Sequence, residues 1–255
     1  MAVEVEGVLS GRHVLVTGAS SGIGAATCRS IVARGGKVAL MARRKERLEE
    51  LAAELGDGAY VVAADVTDLD GLENRVDEAA GHLGSLDGIV TVAGQMMTGE
   101  MSSGTPQRWR ELIDLNLIGP LATIRYAVQH FPTTGRRDVV IVGSTGAITP
   151  MPGVGIYAAS KRGLEAAFDT LRLELAHEGI NVSLVMPGMF ETEGLTLEGI
   201  IFDGDVPNSD IPYFVEGGIP VPPQPLADCI AYIIGLPDGI CVNEMVVRPT
   251  GQLNP

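Results

Sequence analysis

A tyrosine and a lysine four residues apart, in Tyr157-Ala158-Ala159-Ser160-Lys161, share one face of any helix that contains them. An ammonium beside a phenol favours the phenolate, moving a pKa of about 10 toward the range useful for acid/base chemistry. Upstream, Ser144 in Val142-Gly143-Ser144-Thr145-Gly146 closes an apolar run and offers a hydroxyl able to polarise a carbonyl. A third constellation, Thr17-Gly18-Ala19-Ser20-Ser21-Gly22-Ile23-Gly24, joins an apolar run to a helical pattern with the spacing G-x-x-x-G-x-G. Glycine permits the tight turn and the approach of backbone N–H groups to a pyrophosphate, and the following helix start adds partial positive charge.

The elements that must position these residues are legible as an alternation. Short apolar runs lie at His13–Thr17, Lys37–Met41, Ala59–Ala64, Asp87–Val92, Asp138–Ser144, Ile180–Met186 and Glu244–Arg248. Being apolar throughout, they read as strands covered on both faces. Helical spacing falls between them, at Ile23–Arg34, Arg44–Leu55, Leu69–Leu83, Gln107–His130 and Gly155–His177. The alternation predicts one α/β domain over residues 1–255, a doubly wound Rossmann-type parallel sheet of about seven strands with helices on both faces. The Pro-rich stretch Pro187–Pro225, with a weak helical signal around Glu191–Ile201, reads as a substrate loop over about 188–225 at the carboxyl edge of the sheet.

Composition narrows the partners. The chain has 18 Lys and Arg against 32 Asp and Glu, a net charge of −14, which disfavours nucleic acid and anionic membranes. No apolar run approaches the ~18 residues of a spanning helix, and the opening lacks a signal-like pattern, so a cytoplasmic protein is expected. Cys28, Cys229 and Cys241 fit buried free thiols, and the four scattered histidines predict no metal site. In a dinucleotide site for NAD, the second strand ends on a carboxylate that accepts from the adenosine ribose. Here it ends Leu40-Met41-Ala42-Arg43-Arg44, where two guanidiniums suit a 2′-phosphate and point to NADP(H).

Together these motifs resemble the short-chain dehydrogenase/reductase family in its roughly 250-residue form, from about Gly11 to Gly188. They run in order: Thr17–Gly24, Asp65-Val66 after the third strand, Asn116 in a helix, Ser144, Tyr157 with Lys161, and Pro187-Gly188 after the sixth strand. The resemblance implies an NADP(H)-dependent oxidoreductase interconverting a ketone and a secondary alcohol. Tyr157 is then the general acid, Lys161 lowers its pKa and holds the nicotinamide ribose, Ser144 orients the carbonyl, and Asn116 holds a water of a proton relay. It further implies cofactor contacts from Gly18, Ser20, Ser21, Gly22, Ile23, Gly24, Arg43 and Arg44. Asp65, Val66, Ala93 and Gly94 would meet the adenosine side, and Pro187, Gly188 and Thr192 the nicotinamide. One departure is Thr91-Val92-Ala93-Gly94 where the family commonly has Asn-Asn-Ala-Gly; the Thr hydroxyl is the available brace for that turn. Met96, Met97 and Met101 suggest a soft apolar wall and a largely apolar carbonyl or alcohol substrate, while Trp109 reads as packing. The family also implies a homo-oligomer, dimer or tetramer. The alternatives are an NAD-dependent alcohol dehydrogenase and a non-catalytic NADP(H)-binding protein on the same fold.

Overall fold

The computed structural model describes residues 7–149, 151–196, 199–204 and 221–252. Strands β1 (His13–Thr17), β2 (Lys37–Ala42), β3 (Ala59–Ala63), β4 (Gly88–Thr91), β6 (Asp138–Val142), β7 (Asn181–Pro187) and β9 (Glu244–Val247) form one sheet in the order β3-β2-β1-β4-β6-β7-β9. Every pairing is parallel. The six apolar runs from β1 to β7 each coincide with a strand, and Glu244–Val247 closes the far edge. The short β5 (Met97–Thr98) and β8 (Ile201–Phe202) pair separately; the sequence pattern did not signal either.

Helices cover both faces, and the alternation of side chains along the strands divides the core accordingly. Leu15, Ile89, Ile141 and Leu184 pack under α3 (Leu69–Leu83), α5 (Gly119–Ala127) and α6 (Gly155–Ala176), with Val76, Ile124 and Phe168 as their partners. Val14, Val16, Val90, Val140 and Val185 pack on the other side against Ile31 of α1 (Gly22–Val32), Leu48 of α2 (Lys45–Leu55) and Ile230 of α7 (Gln224–Ile234). The predicted helix Gln107–His130 is instead α4 (Pro106–Ile113), a π-helical turn Asp114–Ile118, α5 and a closing 3-10 turn Val128–His130. The weak helical signal at Glu191–Ile201 resolves to a single 3-10 turn, Glu193–Leu195, before β8. Of the proposed substrate loop, residues 197–198 and 205–220 lie outside the described residues, and α7 occupies its predicted end.

Two expectations about the interior are corrected. Cys28 is buried and its thiol is pushed up by burial, but Cys229 and Cys241 are only half-buried; all three are free thiols. Trp109 is half-buried, and its role is polar as well as apolar, as described below. Among the described residues, no helix is long and apolar enough to cross a membrane, and no group of three or more His, Cys, Asp or Glu side chains is placed to hold a metal.

The amino edge of the sheet is locked by charge. Arg12 Nε donates to Asp87 Oδ1 at 2.6 Å and its Nη2 to Asp138 Oδ2 at 2.8 Å, while Arg136 Nη2 reaches Asp138 Oδ1 at 2.7 Å. The same two arginines also donate to the carbonyls of Ile233 and Ile234 at the C-terminal end of α7, where helical donors run out. Burial pushes the Asp138 carboxyl upward, against the pull of both guanidiniums. Removing one partner strands buried charge, so Asp138→Ala is expected to lower unfolding stability by about 3 kcal/mol, read as a shift of the urea midpoint at unchanged slope.

Candidate active site

In the sheet order, β1 and β4 are adjacent although β2 and β3 intervene in sequence, and this reversal opens a crevice at their carboxyl ends. Thr17, the last residue of β1, accepts through Oγ1 from the N–H of Val92 at 3.1 Å and of Ala93 at 3.2 Å. Thr17, not Thr91, is therefore the brace of this turn; the buried Thr91 hydroxyl has no hydrogen-bond partner. Gly18 follows with φ +68°, and a side chain there would meet Ala93 N at 2.9 Å. The chain then enters α1, whose N-cap Ser21 makes no side-chain cap bond, leaving first-turn N–H groups directed into the crevice.

Ser144 lies just past β6 and caps a 3-10 turn, Thr145–Ala147, its Oγ accepting from Gly146 N at 3.1 Å. Tyr157, in the first turn of α6, faces Ser144: a side chain at Gly146 would meet Ser144 Oγ and Tyr157 Cε1 at 3.3 Å each. One turn on, buried Lys161 donates from Nζ to the Val142 carbonyl at 3.1 Å. Burial raises the Tyr157 phenol above its ordinary value, and the Ser144 hydroxyl only partly opposes this. The lowering expected from the Tyr-Lys spacing is thus not what this arrangement gives, because the ammonium is directed at a backbone carbonyl. Lys161 itself is brought down to about 8 by burial.

The π turn puts Asn116 behind this pair, fully buried. Its Oδ1 accepts from Gln95 N at 2.9 Å, and its Nδ2 donates to Gln95 O at 2.9 Å and Ser160 Oγ at 3.1 Å. The side chain is thus spent on structure, joining the turn after β4 to α6. A side chain at Gly94 would lie 3.1 Å from Asn116 Oδ1 and 3.4 Å from Lys161 Nζ, so all three meet at one point.

Ile23, Gly94, Ser144, Tyr157, Lys161, Pro187, Gly188 and Thr192 line a common cavity of about 180 Å³. Residues not singled out from the sequence complete it: Gln95, Met151, Phe190, Leu195 and Gln252. Gln252 Oε1 accepts from Met189 N at 2.8 Å, and a side chain at Gly188 would meet that oxygen at 2.2 Å. Of the three methionines, Met96 lines the cavity, Met97 is buried in β5, and Met101 is exposed. The wall is tethered from outside by buried Asp203, whose Oδ2 accepts from Thr105 N at 2.8 Å and from Trp109 Nε1 at 3.1 Å.

At the other end of the crevice, Arg44 donates to Ser20 Oγ at 3.0 Å and Ser21 Oγ at 2.8 Å. Arg43 diverges from it toward Asp65, 3.8 Å away, on an exposed surface. Val66 is buried beside Asp65, and Ala93 packs on the core. The edge of β2 carries no carboxylate of its own, as the sequence indicated, but Glu193 brings one there: its Oε2 lies 2.9 Å from Arg44 Nη1, and its Oε1 pairs with Arg47.

The short chain dehydrogenase profile matches residues 12–198, which span all of these motifs. The chain belongs to the short-chain dehydrogenase/reductase family. This short-chain oxidoreductase is 35% identical over 251 residues to the glycine betaine reductase of Emericella nidulans, covering 97% of the chain but 19%, about a fifth, of that longer protein. An uncharacterized oxidoreductase of Listeria monocytogenes is 30% identical over 249 residues, with 96% and 98% coverage. Among solved structures, a metagenomic short-chain oxidoreductase in complex with NADP superposes with TM-score 0.78 at 28% identity, covering 95% of this chain and 99% of that one. The 3-ketoacyl-(acyl-carrier-protein) reductase of Brucella melitensis complexed with NADH superposes with TM-score 0.81 at 26% identity, covering 94% and 97%.

Two outcomes follow for this short-chain oxidoreductase. Lys161, observed by NMR after isotopic methylation, should titrate near pH 8; an inflection at the ordinary 10.5 would remove it from the buried site. Asp203→Ala should cost about 1–3 kcal/mol of local stability, seen as faster amide hydrogen exchange in residues 97–105 with β1 and β6 unaffected.

Proposed function

We propose that this oxidoreductase interconverts a ketone and a secondary alcohol with NADP(H), with Tyr157 as the acid/base group. The observation carrying this reading is that Tyr157 and Ser144 face each other across Gly146 in a cavity that buried Lys161 also lines. Two hydroxyls lining one cavity can both reach one carbonyl oxygen, one donating its proton as the other orients the substrate. The fit to a dinucleotide rests on the uncapped start of α1, suited to a pyrophosphate, and on the Arg44, Ser20 and Ser21 cluster, suited to a 2′-phosphate.

When bound, the nicotinamide supplies or accepts the hydride. The chain manages the proton. Burial keeps the Tyr157 phenol protonated at neutral pH, which is the form that reduction consumes. Lys161, at about 8, is poised to return a proton to that end of the site. Asn116, in the π turn behind Lys161, would hold a water that links Lys161 onward, as the family relation implies. Apolar groups from Ile23, Met96, Met151, Phe190 and Leu195 dominate the lining, which favours an apolar ketone or cyclic alcohol. The family relation and the NADP complex of a similar structure add support; the NADH complex of another sets the competing cofactor.

The test is a parallel calorimetric titration of NADPH and NADH on the wild type and on Arg43→Ala and Arg44→Ala, followed by assays against apolar ketones. NADPH should bind more tightly, with the preference falling more in Arg44→Ala, whose guanidinium contacts Ser20 and Ser21. Tyr157→Phe should retain NADPH binding and lose about 10²- to 10⁴-fold in turnover. Equal or tighter NADH binding would assign the protein to the NAD-dependent alcohol dehydrogenases instead.

A further inference from the structure

The loop leaving β7 turns back across the crevice and ends on the cations at its adenosine end. Thr192 packs over the start of α1, so closely that a side chain at Gly22 would meet its Cβ at 3.2 Å. The next residue, Glu193, accepts from Arg44 and Arg47 with its two carboxylate oxygens. The remaining donors of Arg44 are fixed on the hydroxyls of Ser20 and Ser21. Two guanidiniums thus gather around one anion, one of them held by two hydroxyls, and the two arginines hold its carboxyl below the ordinary range. Gly194 and Leu195, one and two residues on, line the catalytic cavity.

We infer that Glu193 is a cofactor-specificity residue: it holds the anion position at Arg44 and Arg47, and a 2′-phosphate displaces it, freeing the turn that walls the catalytic cavity. The inference deepens the NADP(H) reading and rests on it. A phosphate carries more charge than a carboxylate and presents three acceptor oxygens, so it wins the guanidiniums from an exposed carboxylate tied by two solvated ion pairs. A nucleotide without that phosphate has nothing to exchange and leaves the clasp closed. Glu193 thereby lowers affinity for the phosphorylated nucleotide while making the position of the wall depend on it. Neither Arg47 nor Glu193 is marked by spacing along the chain, since the first sits within α2 and the second about 150 residues away in an irregular loop.

Adenosine 2′,5′-bisphosphate and adenosine 5′-monophosphate differ only in the 2′-phosphate and serve as probes for the full chain. By calorimetry, Glu193→Gln should bind the bisphosphate about tenfold more tightly than wild type, with the monophosphate unchanged. In wild type, saturating bisphosphate should accelerate amide exchange across residues 191–196, and the monophosphate should not. If wild type prefers the bisphosphate but Glu193→Gln binds it no more tightly, the inference falls and the NADP(H) reading stands. If wild type and Glu193→Gln both bind the two nucleotides equally, the 2′-phosphate reading falls and takes the inference with it.

Discussion

The two hydrogen bonds that Thr17 Oγ1 accepts from Val92 and Ala93 hold the crevice together. Parallel strands bond to their neighbours only along their length; beyond their ends, each chain exits independently toward its own helix. Thr17 ties the exits of β1 and β4 to each other at the one place where the sheet order reverses. Ala93 fixed there lies against Gly18 on one side and leads into Gly94 on the other. Through Gly94 and Gln95 the constraint reaches Asn116, then Ser160, then the helix bearing Tyr157 and Lys161. The dinucleotide end and the proton-handling end of the crevice are therefore set by one continuous run of backbone and side-chain bonds.

Electrostatics within this frame are local exceptions to the whole. A chain of net charge −14 places one ammonium where burial makes it surrender its proton two to three pH units early, and gathers guanidiniums on the far side of the same cleft. Lys161 burdens the fold at neutral pH, since its charged form is disfavoured once buried and the Val142 carbonyl compensates only in part, whereas exposed Arg44 is met by hydroxyls and a carboxylate at little cost. The strong buried charge network, Arg12 with Asp87, Asp138 and Arg136, lies at the opposite edge, where it fixes the strand starts without disturbing the cleft.

How much of this is legible in the sequence depends on whether the signal is periodic. The strands from β1 to β7 read clearly because both faces are covered, so apolar residues occur without a break. Tyr157 with Lys161 and the glycine-rich turn read clearly because one helix face or one turn carries each motif whole. The π turn at Asp114–Ile118 is illegible since it inserts no distinctive residue, only a slip in phase that the apolar steps of Ile113, Leu117 and Ile124 absorb. Thr17 in place of Thr91 was missed because a hydroxyl's partner depends on which strand lies alongside. Glu193, Gln252 and Asp203 act from irregular segments, where spacing along the chain carries no information about spacing in space.

Gln252 has a consequence for how the site comes into being. It closes the cavity against Met189, a residue 63 positions earlier, and reaches it only because β9 has paired with β7. A chain synthesised only through Met189 already carries the serine, tyrosine and lysine, yet the residue that closes one side of their chamber follows 63 positions later. Completion of the cavity is thus coupled to the docking of an edge strand rather than to the collapse of the central sheet.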